Sequence, residues 1–364
     1  MNLTFTNNEK EMINQAKCII NEKKQIYNSK VVDEIKQSLA HHFNNASKSE
    51  LEDHFYKSIY NYWAYGCSVD EYFYLNFYKL LHSEKVKYIT HKKRLNLIYQ
   101  VNDFNKRYIC DDKYETYKIL EPFYLREMIS ISGKEDFEKF QSFAQKHKEF
   151  VVKQNNSCCA IGVFKVSVKD DKDIEKIFNE LITDKDLLNK GNIIIEELII
   201  QDNSIGVFHP TSINGIRVTT MRKKHKVRII HPWIKIGANG TFVASAVMGG
   251  VDVGINARNG KIITNGFGEL GEEYTEHPNS KVKFLGYKIP HWSELRKLSR
   301  KLALIMPSGI NYIGWDFVLT PKGWCVMEAN FSGDSMWQLF LKKPCLNEFE
   351  RQLGCKVNKQ FWWE

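Results

Sequence analysis

The stretch GWDFVLTPKGWCVMEAN, Gly314–Asn330, decides how the rest of the chain reads. Two apolar runs flank Thr320-Pro321-Lys322-Gly323, whose proline and glycine mark a hairpin turn. If Pro321-Lys322-Gly323 form a three-residue loop with Gly323 in the left-handed conformation, Thr320 pairs with Trp324. Asp316 then falls opposite Glu328, and Asn330 lies two residues further along the same face, opposite Gly314. The other face carries Ile313, Trp315, Phe317 and Leu319 against Cys325, Met327 and Ala329, and is apolar throughout. A one-residue slip would send Asp316 and Glu328 to opposite faces. Two carboxylates opposed across a strand pair repel unless something cationic lies between them. Asp, Glu and Asn offer only hard oxygen ligands, a set that suits Mg²⁺ with waters and phosphate oxygens. Taken alone, the hairpin leaves a second reading open: an exposed face that is merely polar.

The composition narrows the class. A chain of 364 residues has room for two or three domains, and 43% apolar with 13% aromatic residues excludes a disordered protein. No run approaches the ~18 apolar residues of a membrane span. The first residues, MNLTFTNNEKEMINQ, lack the apolar core of a secretory signal, so a soluble cytoplasmic protein is expected. Eight cysteines include no C-x-x-C pair, which argues against zinc or dithiol chemistry; most read as small buried hydrophobes. The net charge of +9 draws on YITHKKR (Tyr88–Arg94) and TMRKKHKVR (Thr220–Arg228). A solvated face is the plain reading, and an anionic substrate or a peripheral membrane contact are the sharper ones. No nucleic-acid fingerprint accompanies the charge, so no nucleic-acid partner is expected.

Residues 1 to about 100 read as helical. Leu51, His54, Phe55, Ile59 and Tyr62 recur at helical spacing, as do Tyr72, Leu75, Phe77, Leu80 and Leu81. From about residue 105 the short β-rich runs EFVVKQ, NIIIEELII and IRVTTM alternate with helical or turn stretches. Phe137, Phe140 and Phe143/Ala144 share one helical face. Glycines crowd residues 237–271, a region of closely spaced turns. A late helix is expected with Ser293 as its cap, a stripe of Leu295, Leu298, Leu302 and Ile305, and Pro307 beyond its end.

Lysines and acids elsewhere fit a nucleotide. Lys153 ends a β run and precedes the small-residue loop NNSCCAIG, where a flexible point charge can reach a phosphate. Lys113 and Lys118 lie near a helix start, and each lysine alone also reads as an ordinary surface residue. NIIIEELII runs a strand into Glu196 and Glu197, where a strand end next to a connector can bind adenine through backbone groups.

Together these pieces resemble the ATP-grasp superfamily. The order is Lys113, Lys153, IIIEELI, then GWDFVLTPKGWCVMEAN. The blocks HPTSINGIRVTTM, IKIGANG, MGGVDVGI and HPNSKVKFLGYKIPHW resemble the branch associated with sugar transfer and with polysaccharide or teichuronopeptide synthesis. The resemblance covers roughly residues 55 to 340. It implies an α+β class: an ATP-grasp fold of two α+β subdomains gripping ATP, preceded by a helical N-terminal region. The expected division is 1–104 helical, 105–200 lysine-bearing subdomain, 201–345 metal-binding subdomain and 346–364 C-terminal tail. Matched position by position, Asp316, Glu328 and Asn330 correspond to magnesium ligands, and Lys113 and Lys153 to the lysines on the ATP phosphates. Glu196, Glu197 and Leu198 correspond to the adenine hinge, and Asn214 joins the cofactor-binding set through the Asn-x-x-Arg motif. Arg217 and Lys235 take the catalytic positions, where Arg217 would hold a phosphate or an acyl oxygen. Three departures touch the substrate contacts: Gly215 replaces a Thr, Lys235 replaces an Arg, and Ala244-Ser245 replace Asp-Asn.

The resemblance implies an ATP- and Mg²⁺-dependent ligase. ATP would phosphorylate a carboxylate, and an amine would displace the phosphate to leave an amide and ADP. The implied substrates are small-molecule or saccharide-linked carboxylates and amines in capsule or cell-surface polysaccharide synthesis. The alternatives are a kinase of a saccharide hydroxyl, a non-catalytic nucleotide-binding partner of a glycosyltransferase, and a basic adaptor at a membrane surface. No Ser-His-Asp or Cys-His arrangement is needed. His209, His231 and His277 each precede Pro and read as turn residues, with His277 also open to a place in the acceptor site.

Overall fold

The computed structural model describes residues 3–157, 162–189, 191–240, 244, 249–333, 335, 337–354, 356 and 357. The chain forms two compact units, Met1–Gln100 with Ser335–Glu364, and Val101–Asp334.

The first unit is helical among its described residues. Its N-terminal part holds Glu9–Glu22, Ser29–His42, Lys48–Tyr65, Val69–Tyr74, His82–Lys85 and the start of His91–Val101. Ser47 with Glu50, and Ser68 with Glu71, close capping boxes that satisfy the first free N–H groups of two of them. Phe55, Ile59, Tyr60, Tyr65, Tyr72 and Phe77 build an aromatic-rich core. The expected stripe through Leu81 is interrupted: the helix stops at Tyr74 and Asn76 takes φ +52°, so Phe77 enters the core from a turn. The YITHKKR stretch is not a solvated face. Lys92 is fully buried, with Nζ 4.3 Å from the centre of the Tyr62 ring and 4.6 Å from that of Trp63.

The second unit contains two antiparallel sheets. The strands are β1 (Met128–Ile131), β2 (Glu149–Gln154), β3 (Phe164–Ser167), β4 (Ile193–Glu197), β5 (Gly215–Lys223) and β6 (Lys226–Ile236). They continue with β7 (Val251–Ile255), β8 (Ile262–Phe267), β9 (Glu273–Tyr274), β10 (Tyr312–Thr320) and β11 (Gly323–Asn330). The smaller sheet has the order β1-β4-β2-β3 and the larger β11-β10-β5-β6-β7-β8-β9. Strand alternation places Ile129, Ile131, Phe150, Val152, Ile193 and Ile195 on one face of the smaller sheet. Phe140, Phe143, Phe178 and Leu181, from the helices Phe137–Lys146 and Asp173–Thr183, cover that face. By the same alternation Lys153 and Glu196 belong to the opposite face, as diagonal neighbours, since Val151 pairs with Glu196 and Lys153 with Ile194.

The helix Trp292–Ile305 packs on β5 and β6. His291, at φ +49°, holds the N-cap position expected for Ser293, which lies inside the helix. The buried stripe is Trp292, Leu295, Ser299, Leu302 and Ala303, and Ile305 is 39% exposed instead of closing it.

The decisive hairpin differs from its expected form in two ways that cancel. Thr320 pairs with Gly323, not Trp324, so the loop is Pro321-Lys322, one residue shorter. Gly323, at φ +109°, takes a conformation that favours glycine. That tighter turn would set Met327 against Asp316. A β-bulge absorbs the difference: Phe317 pairs with Val326 while Asp316 pairs with Glu328, leaving Met327 as the extra residue. Asp316 therefore opposes Glu328, and Gly314 opposes Asn330, as the sequence suggests. The partners nearer the turn shift by one: Trp324 and Val326, not Cys325 and Met327, stand across from Leu319 and Phe317.

Candidate functional site

Cross-strand pairing assembles a polar face on the larger sheet. Asp316 pairs with Glu328 on one side and with Arg217 on the other, so three charged residues from β11, β10 and β5 stand in one row. Arg217 grips Asp316 with two prongs, Nε to Oδ1 at 2.6 Å and Nη2 to Oδ2 at 2.9 Å. Lys235 Nζ adds a third contact at 3.3 Å to Oδ2. Burial alone would raise the Asp316 carboxyl, but Arg217 and Lys235 outweigh it and hold the carboxyl far below the usual range. Asn330 Nδ2 donates to Gly314 O at 3.2 Å and to Asp316 Oδ2 at 3.4 Å. Asp316, Glu328 and Asn330 thus share one face and bring two carboxylates and an amide together.

The two expected phosphate lysines each face a carboxylate. Lys113 opens the helix Lys113–Leu120, which Asp112 caps through the Tyr114 and Glu115 amides. Its Nζ lies 3.3 Å from Glu328 Oε1 and donates to Asn155 O at 2.9 Å and Ser157 O at 2.6 Å. Asn155 Oδ1 also accepts the Lys113 backbone N–H at 2.8 Å, so helix start and strand end are locked together. Lys153 Nζ lies 2.8 Å from Glu196 Oε2. Glu196 is 2% exposed and has a second cation, Arg126, whose Nε donates to the same oxygen at 3.0 Å. Burial pushes the Glu196 carboxyl up, yet Arg126 and Lys153 together hold it down at about 2.

Other expected residues are placed differently. Lys118 pairs with Glu115 on the exposed side of its helix, at 2.6 Å. Glu197 ends β4, and its Oε2 accepts the Glu127 N–H at 3.1 Å; Leu198 follows it, half-buried. Asn214 is 1% exposed and its amide is fully engaged: Nδ2 reaches Gln201 Oε1, Ile205 O and His209 O, and Oδ1 accepts from Gly237 N. With Gln201 it organises the turn before β5. His277 is buried; its Nδ1 accepts the Ser280 N–H at 3.2 Å, so Nε2 donates to Gly237 O at 2.7 Å. His209 binds Ser212. Cys158-Cys159 of the small-residue loop and Ser245 of the Ala244-Ser245 departure lie outside the described residues.

Arg126, Asn155 and Gln201 escape a reading of the sequence. An arginine beside an acid before a strand (LREMISI) looks like a surface residue, and only its burial and partners distinguish it.

The donor set fits a hard divalent cation. Asp316 and Glu328 offer carboxylate oxygens on one face, Asn330 keeps its amide oxygen after its nitrogen is engaged, and the row holds no sulfur or imidazole ligand. Lys113 and Lys153, each paired with a carboxylate, are both partly exposed.

No curated protein matches this sequence significantly. Among solved structures, the chain is similar to D-alanyl-alanine synthetase A from Vibrio cholerae, at 14% identity over 64% of this chain and 60% of that one, with TM-score 0.38. It is also similar to N5-carboxyaminoimidazole synthase from Aspergillus clavatus in complex with ADP and 5-aminoimidazole ribonucleotide, at 9% identity over 75% and 60%, TM-score 0.41. A third is the D-alanine-D-alanine ligase from Coxiella burnetii, at 12% identity over 68% and 58%, TM-score 0.39. The chain thus spans less than two thirds of each of these proteins. The model of the sugar-transfer associated ATP-grasp family matches residues 92–348, more than half of the chain and all of the charged row. The chain belongs to the sugar-transfer associated ATP-grasp family.

Proposed function

We propose that the protein is an ATP-dependent carboxylate–amine ligase whose site is the charged row together with Lys113, which faces it, and Lys153 on Glu196. The observation that carries this reading is the shared face of Asp316, Glu328 and Asn330, with Arg217 and Lys235 on the same carboxylate and Lys113 on Glu328. Asp316, Glu328 and Asn330 would hold Mg²⁺, which when bound would neutralise charge on the ATP phosphates. Lys113 and Lys153 would exchange Glu328 and Glu196 for phosphate oxygens, and the end of β4 at Glu196-Glu197-Leu198 would receive the adenine through its backbone. Arg217 would orient the carboxylate that attacks the γ-phosphorus, and Lys235 would offset charge that develops on the transferred group. That attack would release ADP and form an acyl phosphate, whose acyl carbon the amine would then attack, displacing phosphate and losing a proton to give the amide. Asn214 supports the turn that leads into β5 rather than touching nucleotide, because its amide has no donor left to give.

The proposed subdomains, 105–200 and 201–345, would each supply one set of these residues. The family's association with sugar transfer supports a saccharide-linked carboxylate or amine, such as a uronic acid or an amino sugar, in cell-surface polysaccharide synthesis. Calorimetric titration of Mg-ATP into the wild type and Glu328→Ala tests the reading. Micromolar-range binding in the wild type and its loss in the variant are expected, with amide and ADP formed from a suitable acid–amine pair. Equal binding in both proteins would remove Glu328 from the site. ADP without amide would favour transfer to a hydroxyl.

A further inference from the structure

We propose that Arg126 is a positioning residue that ties the lysine-bearing sheet to the bulge that sets Glu328, and so tunes how strongly magnesium strengthens nucleotide binding. The inference rests on the Mg-ATP reading above and assigns a role that neither the sequence motifs nor the family match supplies.

The chain turns sharply to place this side chain. Leu125 precedes it at φ +52°, a left-handed conformation that is costly for a bulky residue. Strain of that kind persists where surrounding contacts hold it. Here the guanidinium, with 3% of its side chain exposed, makes those contacts. Nε donates to Glu196 Oε2 at 3.0 Å, and Nη1 to Val326 O at 2.6 Å and Tyr124 O at 3.2 Å. Nη2 approaches Met327 O at 3.5 Å, the outer limit of a hydrogen bond. The group also lies 4.8 Å from the centre of the Tyr124 ring.

The acceptors define the role. Glu196 belongs to β4 of the smaller sheet and is the carboxylate that holds Lys153. Val326 and Met327 belong to β11, which ends the larger sheet among the described residues, so that its outward carbonyls meet no further described strand. They are also the residues at the bulge, and successive carbonyls of a regular strand point to opposite edges. One rigid fork thus spans both sheets, holding the lysine's counter-ion with one edge and the bulge with the other. Glu328 follows the bulge directly, so the position of its carboxylate depends on that anchorage. A lysine could keep the charge but not the planar, multi-pronged geometry.

The test compares wild type, Arg126→Lys and Arg126→Gln. Each is titrated calorimetrically with ATP in EDTA and with ATP plus excess MgCl₂, and circular dichroism reports folding. The readout is the ratio of the two dissociation constants, which a purely structural contribution to stability leaves unchanged in folded protein. Both variants are expected to fold and to lose about tenfold of the wild-type ratio, or about 1.4 kcal/mol of metal–nucleotide coupling. A wild-type ratio in folded variants overturns the role of Arg126. Failure of both variants to fold also overturns it, assigning Arg126 to the fold alone. A wild type whose ATP affinity is indifferent to magnesium removes the Mg-ATP reading itself and the proposal with it.

Discussion

Replacing Glu196 with Gln keeps the side chain's size but removes a buried charge that two cations share. The carboxylate is 2% exposed and lies 3.0 Å from Arg126 and 2.8 Å from Lys153. In the variant, the amide nitrogen faces donors, and Arg126 stays buried without an anion. Breaking a buried pair by removing one partner costs about 3–5 kcal/mol. With a urea slope of about 2–3 kcal/mol/M, the unfolding midpoint should fall by about 1–2 M at pH 7. The pH dependence gives a second, independent check. The native Glu196 carboxyl is depressed to about 2 against an ordinary value of 4.5, so its stabilisation is full above the ordinary value and fades as pH falls toward the native one. At pH 3 the unfolded-state carboxyl is protonated while the native one remains ionised. The gap between wild type and variant should then be smaller than at pH 7 by about 2 kcal/mol. Urea unfolding followed by circular dichroism at pH 7, 5 and 3 reads both effects. A midpoint shift below about 0.3 M at pH 7, or a gap that widens in acid, would refute the reasoning.

Other substitutions separate site from scaffold. Glu328→Ala removes a partly exposed pair with Lys113, so thermal unfolding should show a loss of only about 0–1 kcal/mol while Mg-ATP binding disappears in calorimetry. Arg217→Lys replaces a two-pronged grip on Asp316 by a single contact; steady-state kinetics should show kcat/KM lower by about ten- to hundredfold, from one charged hydrogen bond of about 1.5–3 kcal/mol. Asn214→Ala leaves the buried Gly237 N–H without its Oδ1 acceptor and takes one of two donors from each of Ile205 O and His209 O. It should destabilise the fold by about 1–3 kcal/mol in denaturant titrations, while the folded fraction binds Mg-ATP with unchanged affinity. A selective loss of nucleotide binding there would return Asn214 to the cofactor contacts.

The register of the hairpin shows how far local reasoning reaches. The three-residue loop expected from Pro-Lys-Gly opposes Asp316 to Glu328, and the structure agrees because a turn one residue shorter and a bulge at Met327 cancel. The bulge at Met327 has no sequence signature, and the groups that contact it, Arg126 and the neighbouring strand, come from elsewhere in the chain. Ser293 illustrates the same limit: it is a good cap by residue type, but the path of the chain into the helix puts His291 at that position.

Period, turn chemistry and ordered motifs are local properties, so the helical N-terminal region, the mixed α+β class and the family are legible along the chain. Which charges meet is a property of the fold. Lys153 finds Glu196 across strands separated by 43 residues, Arg217 finds Asp316 across 99, and Arg126 reaches Glu196 and the bulge together. Partners so far apart along the chain are chosen by sheet order and register, and a buried charge is stable only where those long-range pairings deliver its counter-ion.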